Sequence, residues 1–234
     1  MATETENPKL RGSNLIDAIP QVGECPLRCD ECFYNGGRFY RPLNSPLLPS
    51  PEEAKGKIVR VNSGHDSNVQ RNLVLTSTAS YPDKFFNTSI PRFDFPAPVV
   101  FTCNSHRLIL VDKPPANLMF VRCRVSTANL EEADQVVQHY WVRYSIPVVM
   151  TFMRYFNEAV VPDKNSYEYR QHILNSYWML KTAALITIMS RWQKSAPPIH
   201  GIRMCGTPYS DYCADCRNCE FLCWDCLRRM RIKS

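Results

Sequence analysis

The chain has 234 residues, of which 44% are hydrophobic and 11% aromatic. These values fit one globular domain, with or without a small appendage, and exclude an intrinsically disordered chain. A formal net charge of +6 permits an anionic partner but does not indicate nucleic acid. The polar start lacks the apolar segment of a signal peptide, and no apolar run is long enough to span a bilayer. We therefore expect a cytoplasmic protein with no membrane partner.

Apolar runs in the first half of the chain alternate with helix signals. Leu15–Pro20 predicts a buried first strand, and Ile58–Asn62 predicts a second. Between them, Ser50–Glu53 has the pattern of a capping box with proline at the first helical position, so a short helix begins there. A second helix is expected from Ser67 onward. Tyr81–Pro98, with four phenylalanines and four prolines, predicts an ordered insertion that packs its aromatic rings on the core.

The same alternation continues through the second half. Val99–Asn104 and Leu118–Val125 predict the third and fourth strands, with a possible hairpin strand at Leu108–Val111. Asn129 begins a capping box, followed by a helix that reaches Tyr144. The remaining predicted elements are a fifth strand at Pro147–Phe152, a long helix at Tyr167–Gln193 and a sixth strand at Ile199–Met204.

Apolar strands that alternate with helices are typical of parallel βαβ units. Six such units predict an α/β fold, a partial (βα)6 barrel of parallel strands over residues 14–204. Residues 1–13 are expected to be a flexible N-terminus. Residues 205–234 are expected to form a small, irregular, cysteine-rich extension that holds an auxiliary cluster.

The eleven cysteines fall into two groups, with only Cys103 and Cys123 standing alone. Cytoplasmic thiols are kept reduced, so metal or redox chemistry accounts for these groups better than disulfides do. The first group, Cys25, Cys29 and Cys32, follows the first strand with the spacing C-x3-C-x2-C. One loop can wrap three such thiolates around a single inorganic centre and leave a coordination position open, as catalytic metal sites do.

The alternative for this first group is a zinc site with His65 as its fourth ligand. Closed zinc sites usually combine two C-x2-C units, and the spacing from Cys25 to Cys32 is different. The open inorganic centre is therefore the favoured interpretation.

Polar side chains follow the next three predicted strands. Ligands of parallel α/β proteins bind at the carboxyl ends of the strands, so these side chains are expected to meet near the cysteine loop. Each residue alone is explained as an ordinary turn residue or a salt-bridge partner, and their convergence makes them a candidate site. They are Asn62 to Asp66 after strand two, Thr102 and Asn104 at strand three, and Arg122, Arg124 and Ser126 at strand four.

The cysteine spacing, in a chain of six predicted βα units, resembles the radical S-adenosylmethionine (radical SAM) superfamily over about residues 14 to 204. Thr102–Ser105 is similar to the Thr-Asn-Gly end of the family's third strand, and Asn62–Asp66 lies where the family has Gly-Gly-Glu. The chain departs from the family in two places. Glu31 stands where an aromatic residue often precedes the third cysteine, and the Gly-Gly-Glu equivalent is degenerate.

The resemblance implies an enzyme in which Cys25, Cys29 and Cys32 hold a [4Fe-4S] cluster whose fourth iron chelates SAM. An electron donor such as flavodoxin or ferredoxin reduces the cluster, and SAM is cleaved to a 5′-deoxyadenosyl radical. This radical then abstracts hydrogen from an unidentified small-molecule or peptide substrate. The implied SAM-binding residues are Ser63, Gly64 and Asp66 at the amino group, Thr102 and Asn104 at a strand end, and Arg122, Arg124 and Ser126 near the ribose or carboxylate.

The second cysteine group comprises Cys205, Cys213, Cys216, Cys219, Cys223 and Cys226. The run from Cys213 to Cys223 has the spacing of bacterial ferredoxins, although Trp224 replaces the usual proline. These cysteines suffice for one auxiliary [4Fe-4S] cluster, with Cys223, Cys205 or Cys226 as the fourth ligand, and a zinc knuckle is the alternative. The segment resembles the C-terminal extensions of radical SAM peptide-modifying and dehydrogenase-type enzymes.

Two other functions stay open at this point. One is a non-catalytic interaction module that binds zinc or an iron–sulfur cluster. The other is an activating enzyme that places a radical on a protein partner, for which Tyr81–Pro98 is the candidate docking surface.

Overall fold

The structure, a computed structural model, describes residues 7–29, 32, 43–104, 108–171, 176–193 and 201–233, and the statements below concern these residues. Seven parallel strands form one sheet in chain order: β1 (Leu15–Ala18), β2 (Ile58–Val61), β3 (Lys84–Thr88), β4 (Val99–Cys103), β5 (Leu118–Val125), β6 (Val148–Phe152) and β9 (Ile202–Met204). The strands β7 (Tyr167–Arg170) and β8 (Tyr177–Leu180) form a separate antiparallel hairpin. The helices are α1 (Pro51–Ala54), α2 (Arg71–Ser77), α3 (Leu130–Val136), α4 (Thr182–Gln193), α5 (Cys213–Cys216) and α6 (Asn218–Lys233).

The sheet curls into a half-barrel, so the α/β class is confirmed. The predicted number of six strands is wrong for the described chain, since the sheet has seven. The additional strand is β3, inside the segment Tyr81–Pro98 that was expected to be an insertion. That segment does pack its aromatic rings on the core, as predicted, because Phe86 and Phe95 stack with their centroids 4.5 Å apart.

The strand β3 could not be predicted from the hydrophobic pattern because it contains two polar residues. Lys84 and Asn87 interrupt the apolar run, yet both are buried in the sheet. The Lys84 Nζ donates to the Tyr81 carbonyl at 2.6 Å, and the Asn87 Nδ2 donates to the Val61 carbonyl at 2.8 Å. Tertiary hydrogen bonds therefore satisfy side chains that would ordinarily argue against a central strand.

Of the two predicted capping boxes, one is present in the structure and the other is not. The capping box at Ser50 is confirmed, with the Glu53 N–H donating to the Ser50 Oγ. The capping box at Asn129 is wrong, because its Oδ1 instead accepts the Ser126 N–H at 2.7 Å. The helix after it continues as a π-helix over Val137–Arg143.

The predicted hairpin strand at Leu108–Val111 is not a strand, and the predicted helix Tyr167–Gln193 is the β7–β8 hairpin followed by α4. Ile199 and His200 of the predicted sixth strand lie outside the described residues.

The two faces of the sheet carry different chemistry. The outer face packs α3, α4 and the aromatic segment in two apolar clusters around residues such as Phe101 and Phe86. The inner face has an apolar floor, formed by one residue from each of six strands: Leu15, Ile58, Phe85, Val100, Phe120 and Val149. Side chains alternate along a strand, so the residue two positions further points to the same face.

A polar layer therefore lies directly beyond the apolar floor, toward the carboxyl ends of the strands. Its members are Asp17, Arg60, Asn87, Thr102, Arg122 and Thr151, each two residues after a floor residue. The Arg60 guanidinium and the Asp17 carboxylate form a buried, bidentate ion pair at 2.6 and 3.0 Å. The interior of the half-barrel is thus apolar at the amino ends of the strands and polar at their carboxyl ends.

Helix α6 lies across the opening between the edge strands β1 and β9. The Glu220 Oε1 accepts from the Asn14 Nδ2 at 3.0 Å, just before β1, and the Asn218 Nδ2 donates to the Met204 carbonyl of β9 at 2.6 Å. Leu222 of α6 packs against the apolar floor. The prediction of an irregular C-terminal extension is not confirmed, since these residues form helices that pack against the half-barrel.

The predicted flexible N-terminus also has defined structure from residue 7 onward. Pro8–Leu10 forms a 3-10 helix that the Asn7 side chain caps. Leu10 is buried in the inner apolar cluster, alongside Leu222 of α6. Residues 1–6 lie outside the described residues.

Close packing at Gly201 gives a first testable prediction. A Cβ atom at Gly201 would lie 2.0 Å from the Cε3 atom of Trp141, on the π-helix. We expect Gly201→Ala to lower the free energy of unfolding by about 1–3 kcal/mol, because the indole ring must move within a packed layer. Urea denaturation measures the change. In a Trp141→Ala background the same substitution should cost less than about 0.5 kcal/mol, and equal costs in both backgrounds would contradict the steric explanation.

Candidate functional site

The first cysteine group lies on the loop that leaves the carboxyl end of β1. Two positive φ angles, 75° at Gly23 and 39° at Arg28, turn this loop back on itself. The Cys32 N–H donates to the Cys29 carbonyl at 2.9 Å, which closes the segment between these two cysteines. Cys25, Cys29 and Cys32 are all half-buried, and none of them forms a disulfide.

Electrostatics show that the loop's thiols are neighbours. Burial raises the pKa of the Cys25 thiol, and the nearby charges of Asp66 and Cys32 raise it further against the opposing N–H of Leu27. Cys25 and Cys32 therefore lie within electrostatic reach of each other and of the loop after β2.

The loop after β2 is fixed to its surroundings through Asp66. Its Oδ1 accepts from the Asn68 N–H and the Thr88 hydroxyl at 2.9 and 2.8 Å. Its Oδ2 accepts from the N–H and hydroxyl of Ser89 at 2.6 and 3.0 Å. These four hydrogen bonds satisfy the carboxylate and anchor the loop to the end of β3. Asp66 thus acts as an ordinary turn residue in this structure. Of the two other residues predicted for the SAM amino group, Gly64 is buried and Ser63 half-buried in the same loop.

His65 joins the β2 loop to the cysteine loop. Its Nε2 donates to the Gly23 carbonyl at 2.9 Å, two residues before Cys25, and its Nδ1 is buried without a hydrogen-bond partner in the described chain. Burial lowers the pKa of His65, although the Gly23 carbonyl opposes this, so the ring is neutral near pH 7.

The predicted residues of β4 and β5 lie together at the polar layer. Arg122 donates weakly to two neutral acceptors, the Thr102 Oγ1 at 3.5 Å and the Asn87 Oδ1 at 3.2 Å. Asn104, one residue past β4, is buried and its Oδ1 has no partner within the described residues. Arg124 is buried one layer further along β5. This part of the site presents guanidinium groups and a free amide oxygen to a ligand.

Ser126 has a local structural role instead. Its N–H and hydroxyl both donate to the Asn129 Oδ1, at 2.7 and 3.3 Å, and its Oγ accepts the Ala128 N–H at 3.2 Å. These bonds build the turn from β5 into α3. The turn-residue explanation therefore accounts for Ser126 fully.

Buried polar atoms without partners concentrate at this end of the half-barrel. Within the described residues, eight buried side-chain nitrogen or oxygen atoms lack a hydrogen bond, and seven of them belong to strands of the seven-stranded sheet or to the loops that follow these strands. Buried polar atoms in proteins are normally satisfied, so their accumulation makes this rim the candidate site for a polar ligand. The seven are Gln21 Oε1, Asn62 Oδ1, His65 Nδ1, Asn104 Oδ1, Thr127 Oγ1, Thr151 Oγ1 and Arg203 Nε.

Four of these residues are absent from the predicted site: Gln21, Thr127, Thr151 and Arg203. For Thr151 and Arg203 the sequence does contain a signal. Strict alternation along β6 and β9 puts both on the face opposite the outer-cluster residues Met150 and Ile202. For Gln21 and Thr127, which lie in loops, no comparable pattern exists.

The second cysteine group divides into two sets. Cys223 and Cys226 are fully buried against the apolar floor, and the Cys226 Sγ lies 3.7 Å from the Asn117 carbonyl oxygen near the amino end of β5. Cys205 follows β9 at the opposite, polar end, whereas Cys213 and Cys219 are partly buried and pack against the same apolar cluster.

Four thiols form a neighbourhood near the polar layer. Burial raises the pKa of Cys213 to about 11, the charges of Cys205 and Cys216 add to this rise, and Arg60 opposes it. Burial likewise raises the pKa of Cys219 to about 12, with Cys213 and Cys205 adding to the rise and Arg122 opposing it. Cys205, Cys213, Cys216 and Cys219 therefore act on one another, with guanidinium groups close by. We call them the C-terminal thiol group.

Within the described part of the chain, no three His, Cys, Asp or Glu side chains are arranged tightly enough to hold a metal ion. The chemistry of the donor sets nevertheless fits iron–sulfur clusters. Both groups supply thiols, the ligands such clusters use, and both lie at the polar end of the half-barrel. Arg60 and Arg122 provide positive charge next to the C-terminal thiol group, which partly offsets the rise in thiol pKa that burial causes.

Comparison with protein-family models, curated proteins and solved structures gave no match to this chain. None of the helices that the structure describes combines the length and the apolar character needed to cross a membrane. All eleven cysteines are free of disulfides. The functional conclusion therefore depends on the site itself.

Proposed function

We propose that this protein is a radical SAM enzyme that acts on a small-molecule or peptide substrate in the cytoplasm. The observation that carries the proposal is the position of the three-cysteine loop. It leaves the carboxyl end of β1 in a curled parallel half-barrel, beside the rim of unpartnered polar atoms. Ligands of parallel α/β folds bind at this end, and three thiols leave one coordination position of a metal centre open.

In this proposal Cys25, Cys29 and Cys32 hold a [4Fe-4S] cluster. When bound, that cluster supplies the electron that cleaves SAM and so initiates hydrogen-atom abstraction. The chain's own groups bind and orient SAM. Arg122 and Arg124 offer positive charge to its carboxylate, and the Asn104 Oδ1 offers an acceptor for a donor group of SAM.

The apolar floor and α6 separate the polar layer from solvent at the amino ends of the strands. Reactive species formed in the polar layer would therefore meet substrate rather than bulk water. The Asp66 carboxylate already accepts hydrogen bonds from Thr88 and Ser89. Ser63, Gly64 and Asp66 would therefore contribute to SAM binding by fixing the position of their loop.

Anaerobic reconstitution with iron and sulfide tests the proposal. The protein should become brown, show an electron paramagnetic resonance signal that changes when SAM is added, and release 5′-deoxyadenosine under a strong reductant. Flavodoxin or ferredoxin would serve as the physiological donor. Full zinc occupancy with intact SAM would contradict the proposal and indicate a metal-binding interaction module instead.

We propose further that the C-terminal thiol group, rather than Cys223 or Cys226, holds an auxiliary [4Fe-4S] cluster. Cys223 and Cys226 are fully buried in the apolar cluster, whereas the other four thiols are half-buried or exposed, and Cys205 adds to the effect of burial in raising the pKa of both Cys213 and Cys219. Cys219 is the link between the two sets, since it packs against the cluster and also adds to the effect of burial in raising the pKa of Cys223. Cys216→Ala should lower the iron content from about eight to about four per chain. Cys226→Ala is the matched control and should keep all the iron while it destabilises the fold by about 1–3 kcal/mol through loss of buried volume. Equal iron in the two variants would contradict this assignment.

A further inference from the structure

Arg203 is a cation that the described chain leaves without an anion. It is the inner-face residue of the edge strand β9, between Ile202 and Met204, which pack on the outer cluster. Its Nε is buried and has no hydrogen-bond partner within the described residues, and its guanidinium lies over the Phe221 ring of α6, 5.1 Å from Cζ to the centroid. A buried guanidinium nitrogen without an acceptor is costly, which indicates that a ligand supplies the acceptor.

Thr151 supplies a second unpartnered group beside it. Thr151 is the inner-face residue of the next strand, β6, and its Oγ1 is buried without a partner. In the sheet register Arg203 pairs with Val149, two residues before Thr151 on the same face of β6. The hydroxyl and the guanidinium are therefore diagonal neighbours on adjacent strands. A threonine hydroxyl can donate a hydrogen bond to the same acceptor as an arginine N–H.

The surroundings favour an anionic acceptor. Arg124 pairs with Thr151 across the β5–β6 ladder, and Arg122 lies one layer below it with only amide and hydroxyl acceptors in the described chain. The Asp17 carboxylate already accepts two hydrogen bonds from Arg60, so it is committed to that guanidinium. Cations thus outnumber anions on the inner face of β5, β6 and β9.

We propose that Arg203 and Thr151 bind an oxyanion, a carboxylate or phosphate group of the substrate. Guanidinium N–H groups match the paired oxygens of either group, and the partly buried setting strengthens charge-assisted hydrogen bonds. Phe221 holds the guanidinium plane in place. The claim that the oxyanion belongs to a substrate rests on the proposed function. The oxyanion site itself requires only the residues of β6 and β9.

Binding of two probe anions tests the site without any turnover. The full chain, reconstituted with iron and sulfide, is titrated with inorganic phosphate and with malonate at constant ionic strength, and thermal stability and calorimetric Kd are measured. One or both anions should raise the midpoint of unfolding, and the stronger one identifies a phosphate or a carboxylate. Arg203→Gln should weaken the Kd roughly ten- to hundredfold, as expected for loss of a charge-assisted hydrogen bond.

Two further variants and a control complete the design. Arg203→Lys keeps the charge without the paired donors and should fall between wild type and Arg203→Gln, as should Thr151→Val. Arg228→Gln removes an exposed guanidinium of α6, 73% accessible, and should bind as wild type does. Equal binding by Arg203→Gln and wild type, or no binding of either anion to wild type, overturns the inference.

The outcome is separable from the proposed function. Cys25→Ala should lose SAM cleavage and keep the anion response, because Cys25 is on the β1 loop at the other side of the sheet. A wild-type protein that binds the anion but leaves SAM intact would support the oxyanion site and contradict the radical SAM proposal.

Discussion

Replacing Cys29 with alanine is expected to abolish SAM cleavage and leave the fold intact. Cys29 is half-buried on a loop, outside all three apolar clusters, so truncation of its side chain leaves no core cavity. Without one of three thiolates the first cluster does not assemble, and the cofactor supplies the chemistry. Release of 5′-deoxyadenosine should fall to the level of iron-free protein, with iron content reduced by about half. Chromatography of the quenched reaction and iron analysis measure both.

The control for this prediction is Cys103→Ala. Cys103 is buried on the outer face of β4, among the apolar side chains around Phe101. Its truncation should lower the free energy of unfolding by about 1–3 kcal/mol, yet the folded protein should keep its iron and its SAM cleavage. SAM cleavage that survives Cys29→Ala would refute the assignment of the first cluster. Global unfolding of Cys29→Ala would instead indicate a metal whose role is to hold the fold.

Replacing Asp17 with alanine should be the most destabilising single change in the polar layer. The carboxylate is 7% exposed and holds the equally buried Arg60 guanidinium through two hydrogen bonds. Removing it leaves a buried cation whose charge partner is gone. Losses of this kind are about 3–5 kcal/mol. Urea denaturation followed by circular dichroism measures the loss.

Two further variants serve as controls for Asp17→Ala. Asp94→Ala removes a carboxylate that is 61% exposed and pairs with Arg92 and Arg71, and it should destabilise the fold far less than Asp17→Ala does, because water screens exposed ion pairs. Asp17→Leu combined with Arg60→Met should recover much of the stability that Asp17→Ala loses, because no charge is then left buried. If Asp17→Ala cost no more than Asp94→Ala, the pair would have no structural importance.

The parts of the fold that could be predicted from the sequence are those that local patterns determine. Mostly apolar runs predicted β2 and β5 even though arginines occupy inner-face positions in both, and the local pattern of Ser50, Pro51 and Glu53 predicted the start of α1. Where partners distant in the sequence decide the outcome, prediction failed. The strand β3 depends on Lys84 and Asn87 finding carbonyl acceptors in other segments.

The prediction of a helix in place of the β7–β8 hairpin is also wrong, and the burial pattern explains why. Tyr167 is buried, whereas Glu168 is half-buried and Tyr169 and Arg170 are exposed, so the segment lacks the alternation that would reveal a strand. Its apolar residues, read together with those of α4, fit a helical period equally well.

The same contrast holds for the candidate site. The spacing of Cys25, Cys29 and Cys32 could be recognised because all three cysteines lie within one loop. The division of the C-terminal cysteines could not, since it depends on which of them meet the apolar floor and which lie near Arg60 and Arg122. The same is true of Asp66, three of whose four hydrogen bonds come from Thr88 and Ser89 at the end of another strand.

The position of α6 has a consequence for biosynthesis. This helix follows all seven strands of the half-barrel in the sequence, yet it covers the apolar floor that begins with Leu15. During translation the ribosome therefore completes an open sheet, with Phe85 and Phe120 exposed, before the residues that cover it emerge. The nascent chain passes through a stage that favours aggregation and chaperone binding. If the proposed clusters form, the same open stage would give iron and sulfide direct access to the interior before α6 closes it.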